Sequence, residues 1–100
     1  MNIEDFLWRD EIIEKLTVKH GVEPWEVESV FDDNPYIRFR QRGNREGEDL
    51  YSAAGQTEAG RYLIVYFIHK LPREDHPFRQ AFIVSARDMT NQERKQHERK

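Results

Sequence analysis

A change of period at Asn34-Pro35 divides this chain and sets what it can fold into. Before it, apolar residues recur every three or four positions; after it, they alternate. The first pattern belongs to helices and the second to strands, because side chains share a face every 3.6 or every 2 residues respectively. The spacing predicts a helix over 10–20, with Ile12, Ile13 and Leu16 on one face and Gly21 as the left-handed residue that ends it. Pro24 suits the first position of a second helix, where its missing N–H is no loss. Val22 and Val27 are placed as a hydrophobic staple, and Val27, Val30 and Phe31 form the stripe that Asn34-Pro35 stops. Phe6-Leu7-Trp8 reads equally as a short edge strand or as an extension of the first helix.

Beyond Pro35 four strands are expected. Residues 36–42 alternate, with Ile37 and Phe39 on one face and Tyr36, Arg38, Arg40 and Arg42 on the other. Residues 50–56 form a second strand, Thr57-Glu58-Ala59-Gly60 a hairpin turn, and residues 61–69 a third strand rich in β-branched and aromatic side chains. The fourth strand covers 79–86. Thr90-Asn91-Gln92-Glu93 then has the spacing of a capping box, and the helix it starts carries no apolar residue from Gln92 to Lys100. Helices followed by strands on short connections give an α+β fold: two N-terminal helices, a four-stranded antiparallel meander and a C-terminal helix. At 100 residues, one domain over 1–100 is expected.

Composition narrows the function. The chain has no cysteine, which removes disulfides, thiol nucleophiles and thiolate metal sites together. The acidic N-terminus does not read as a signal peptide, and the longest apolar stretch, 62–68, falls far short of the ~20 residues of a membrane span. The expectation is a cytoplasmic protein with no membrane contact. Its net charge of −3 hides a split. Residues 1–35 carry three bases against ten acids, whereas residues 36–100 carry thirteen bases against nine. One surface for a polyanion and another for a different partner would explain that asymmetry; so would ordinary solvated charge.

Arg38, Arg40 and Arg42 would stand about 7 Å apart along one strand face, near the spacing of successive phosphates in a nucleic acid. The same row would also serve as edge-strand charges that discourage aggregation. Among the four histidines, His20, His69, His76 and His97, none has a partner at metal-site spacing, so neither metal nor cofactor is expected. His97 follows Glu93 by one helical turn. An imidazole there can pass protons in RNA cleavage by the 2′-hydroxyl, with Arg61 or Arg87 supplying positive charge to the phosphate. A capping box and a polar helix end explain Glu93 and His97 without any chemistry. Trp8 and Trp25 are expected in the core.

The order of motifs resembles the BrnT family of toxins from bacterial type II toxin–antitoxin systems. The matching residues are Phe6-x-Trp8, Lys19-His20-Gly21-Val22, Glu26 with Phe31, Gly55-Gln56-Thr57 with Gly60-Arg61, Ser85-Ala86-Arg87 and Glu93-Arg94. Gly47-Glu48-Asp49 and Ala86-Arg87-Asp88-Met89 resemble one divergent branch. The resemblance implies a RelE-like fold, an antiparallel sheet with helices on one side. It also implies a ribonuclease that inhibits translation and is neutralised by a cognate BrnA-type antitoxin. Carried over by position, Arg61 and Arg87 are the basic residues of the family motif, with Glu93 and His97 nearby on the terminal helix. In the nuclease reading the two arginines hold the phosphate, Glu93 and His97 exchange protons, and the strand residues Arg38, Arg40 and Arg42 bind RNA. The family usually places an acid, a lysine and an asparagine where this chain has Arg9, Ile12 and Leu16, and a tyrosine in place of His97. A non-enzymatic RNA- or protein-binding module on the same fold is the alternative, followed by a structural subunit docked through its acidic helices; a homo-oligomer is left open. The nuclease reading, built on this two-arginine site, carries a geometric condition: Arg61 and Arg87 must converge on one phosphodiester from the same face of the sheet.

Overall fold

The computed structural model describes residues 1–99. Strand β1 (Asp5–Leu7) is followed by α1 (Asp10–Lys15), which widens into a π-helical turn (Leu16–His20), and by α2 (Pro24–Asp32). Strands β2 (Tyr36–Gln41), β3 (Leu50–Gln56), β4 (Tyr62–Lys70) and β5 (Gln80–Asp88) come next, and α3 (Asn91–Glu98) closes the described chain. The first helical segment ends where the sequence predicts, at Gly21 with φ of +59°.

The sheet has five strands in the order β1-β5-β4-β3-β2. Its last four form the expected antiparallel meander, but the sheet as a whole is mixed, because β1 pairs parallel with β5 through Asp5–Gln80, Phe6–Ala81 and Leu7–Phe82. Phe6-Leu7 is therefore strand, and the chain must cross α1, α2 and three strands before its partner exists. The helix arrangement also departs from the expectation of one covered side. The N-terminal helices and α3 lie against opposite faces.

Helical Leu16, Val22, Val27 and Val30 pack onto Ala53, Leu63, Val65, Phe67, Ala81, Ile83 and Ala86 of the sheet. Phe31 bridges Phe6 and Phe67 edge to face, each pair 5.2 Å between centroids. Ile12 joins this cluster, so two of the four positions that depart from the family pattern, Ile12 and Leu16, are packing positions here. Trp8 packs beside the core and donates its indole N–H to Glu28 at 2.9 Å, whereas Trp25 is 53% exposed, contrary to its expected burial.

One irregularity decides which side chains meet. Tyr66 pairs with Ser85 but the next residue, Phe67, pairs with Ile83, so Val84 is an extra residue in β5. A bulge of this kind exchanges the faces of everything beyond it. Ala81 and Ile83 face the core before it and Ala86 after it, all three fully buried.

Candidate functional site

Arg61 lies at the foot of β4, two residues before buried Leu63, and faces the N-terminal helices. Its Nε and Nη2 bond to the two carboxylate oxygens of Asp88 at 2.7 and 2.9 Å. Nη1 donates to Gly21 O at 2.8 Å and to Glu26 Oε1 at 3.3 Å, and Nη2 to His20 O at 2.9 Å. A guanidinium has five N–H donors, and all five are engaged. Two of the acceptors are carbonyls at the end of a helical segment, groups that lack intrahelical donors and favour a cation. Asp88 in particular holds the Arg61 guanidinium firmly protonated, and Arg61 in turn holds the Asp88 carboxyl below the usual range.

Arg87 projects the other way. Strict alternation from Ala81 and Ile83 would have put Arg87 on the helix-covered face beside Arg61; the extra residue at Val84 turns it to the open face, across from Ile64. The condition for the two-arginine site is not met, and Arg61 is removed from the candidate site. The motif residues His20-Gly21, Glu26, Arg61 and Asp88 assemble instead into a clamp that joins both N-terminal helical segments to the end of the sheet.

On the open face a different set comes together. Arg87 forms a bidentate pair with Glu93 of α3, 2.7 and 2.9 Å, and its Nη2 also donates to the Tyr66 hydroxyl at 3.3 Å. Arg40 stacks its guanidinium over the Tyr66 ring, 5.7 Å from the centroid, and donates Nε–H to Ser52 at 2.8 Å. Tyr66 is thus shared by two cations. A trench of about 520 Å³ runs alongside, lined by Arg38 and Arg40 of β2, an apolar floor including Ala54 and Ile64, and Glu93, Gln96 and His97 of α3. Arg87 adjoins this trench through Glu93. Arg42 does not continue the row, because the register shifts between Phe39 and Gln41 and the strand ends at Gln41.

Helix α3 owes its position to polar contacts. Thr90 and Glu93 form the predicted capping box, with Glu93 N to Thr90 Oγ1 at 3.1 Å and Thr90 N to Glu93 Oε1 at 2.9 Å. Two further contacts hold the helix to Tyr62: the His97 ring meets it edge-on at 6.1 Å, and the Arg94 guanidinium lies 4.3 Å above it. The hydrogen bond from Arg87, reinforced by the Thr90 amide, lowers the Glu93 carboxyl from its ordinary value to about 2. A base that weak is mismatched to proton abstraction near neutrality, so Glu93 acts here as the counter-anion of Arg87. His97 Nδ1 is buried with no hydrogen-bond partner among the described residues.

Tyr66 was not among the residues singled out from the sequence. Its signal was present: Leu63, Val65 and Phe67 supply the core, so Tyr62, Ile64 and Tyr66 must face the other way. Among the described residues no group of three or more histidines and carboxylates is placed to hold a metal ion, and no helix is long and apolar enough to cross a membrane.

Comparison with family models matches residues 8–93 to BrnT, described as the ribonuclease toxin of a type II toxin–antitoxin system. No curated protein matches the chain.

Proposed function

The chain belongs to the BrnT family of ribonuclease toxins of type II toxin–antitoxin systems, and from that premise we propose that it cleaves RNA on the open face of its sheet. The observation that carries this reading is the Arg87–Glu93 pair. Carboxylate and phosphate present the same bidentate acceptor to a guanidinium, so an RNA phosphate can take the place that Glu93 holds. Arg40, linked to Arg87 through Tyr66, adds a second charge to that position, and Arg38 extends the row along β2.

The proposed chemistry is attack of the 2′-hydroxyl on the adjacent phosphorus, with departure of the 5′-oxygen and formation of a 2′,3′-cyclic phosphate. Arg87 and Arg40 stabilise the charge that develops on the non-bridging oxygens. His97, one helical turn beyond Glu93, takes the proton from the 2′-hydroxyl and returns it to the departing 5′-oxygen. No step calls on a metal. Cleavage of messenger RNA would inhibit translation. An antitoxin protein is the partner that family membership implies, here proposed to be BrnA-type.

A second reading has its own support. Because Glu93 closes the Arg87 fork and is too weak a base, the face could hold RNA without cutting it. One assay separates the two: purified, antitoxin-free protein is incubated with naked RNA in excess chelator. Cleavage with cyclic phosphate ends, abolished by Arg87→Ala, is the expected result. Binding without cleavage establishes the second reading, and an Arg87→Ala variant as active as the parent removes the open face from the reaction.

A further inference from the structure

Building on the open-face assignment, we infer that Tyr66 is itself a phosphate-contacting residue, donating its hydroxyl hydrogen to an oxygen of the phosphate that Arg87 and Arg40 hold. A phenol both accepts and donates. The Tyr66 oxygen accepts from Arg87 Nη2, and among the described residues nothing accepts its hydrogen. The ring is fixed beneath the Arg40 guanidinium, and the neighbouring strand places Ser52 directly across from it. Ser52 accepts the Nε–H of Arg40 and makes no hydrogen bond to Tyr66 among the described residues. The hydroxyl therefore lies beside the Arg87 guanidinium, on a ring that Arg40 stacks over, with one donor left over, a position suited to an anion.

The arrangement also explains how Arg87 can exchange one anion for another. Glu93 accepts two hydrogen bonds from Arg87, and Tyr66 accepts one that does not depend on α3. When a phosphate displaces the carboxylate, the phenol keeps the guanidinium over the open face. The incoming oxygen then lies where the hydroxyl can reach it. A tyrosine serving only as a spacer would need its ring for Arg40 but not its oxygen.

Tyr66→Phe separates those roles, since it keeps the ring and deletes the hydroxyl. Three measurements are made on the full chain: cleavage of an RNA oligonucleotide under single-turnover conditions in chelator, binding of its 2′-methoxy analogue by fluorescence anisotropy, and thermal unfolding. The expected result is a loss of about ten- to a hundredfold in binding or cleavage, the range for a hydrogen bond to a charged group. The unfolding midpoint should stay within about 5 °C of the parent, because the bond lost from Arg87 is long at 3.3 Å and the pair of Arg87 with Glu93 remains. Undiminished binding and cleavage in Tyr66→Phe, beside an Arg87→Ala variant that loses both, overturns the role of Tyr66 and leaves the open face standing. Full RNA binding by Arg87→Ala overturns both. A loss in Tyr66→Phe matched by a large fall in unfolding temperature assigns the hydroxyl to the fold and overturns its contact with phosphate.

Discussion

Replacing Arg61 with alanine should damage the fold and spare the proposed RNA-binding face. The side chain is 28% exposed and its two carboxylate partners differ in kind. Asp88 is 58% exposed, so that ion pair contributes no more than ~1 kcal/mol after screening. Glu26 is 11% exposed and would be left without its counter-charge. The bonds to the His20 and Gly21 carbonyls come from a charged donor, a class that contributes ~1.5 kcal/mol or more each. Since these contacts share one side chain they do not add in full, and ~3 kcal/mol is a reasonable total. For a domain of this size that corresponds to a fall of roughly 12–20 °C in the unfolding midpoint. Arg61→Lys should recover little, because an ammonium cannot reproduce the fork. Urea unfolding followed by circular dichroism gives the stability, and anisotropy with RNA, measured well below the midpoint, gives the binding. An Arg61→Ala protein as stable as the parent but unable to bind RNA would refute the clamp and return Arg61 to the site.

Three further outcomes follow from the same contacts. Glu93→Gln removes the anion that competes for Arg87, so RNA affinity should rise about threefold while stability falls by about 1 kcal/mol, readable by anisotropy and urea unfolding. Glu93 has a folded-state value of about 2 against 4.5 unfolded, so its stabilising contribution is complete above pH 4.5 and is lost as pH falls toward 2. Urea midpoints across that window should fall less steeply in Glu93→Gln than in the parent. Finally, the plot of log affinity against log salt should lose about 1.4 of its slope when Arg38 and Arg40 are both replaced by alanine, at about 0.7 for each single-strand phosphate contact; an unchanged slope would take β2 out of the interface.

Much of the architecture was legible because it follows from local rules. Gly21, Pro24, Asn34-Pro35 and the Thr90–Glu93 box mark ends by their own backbone chemistry, and the meander follows from alternation and short connections. Strand β1 could not be settled, since three residues carry no period and their partner lies 75 positions along the chain. The face of Arg87 was hidden for a different reason. Nothing in Ile83-Val84-Ser85 announces an extra residue, yet one insertion sends Arg87 to one side of the sheet and Arg61 stays on the other. The motif residues recognisable in sequence proved to include the clamp as well as the open face, because a short motif records that a residue is needed and not what it is needed for. Tyr66 shows the converse: its face could be deduced from its neighbours, but its two cationic partners come from β2 and β5 and emerge only when those strands pair.

The location of the RNA is the point on which the account turns, and nuclear magnetic resonance of the labelled protein titrated with a 2′-methoxy RNA oligonucleotide measures it directly. Saturable shifts should cluster on Arg38, Arg40, Tyr66, Arg87 and His97, with His20, Gly21, Glu26 and Arg61 undisturbed. Shifts centred on Arg61 and its helix-side partners, with the open face silent, would contradict it.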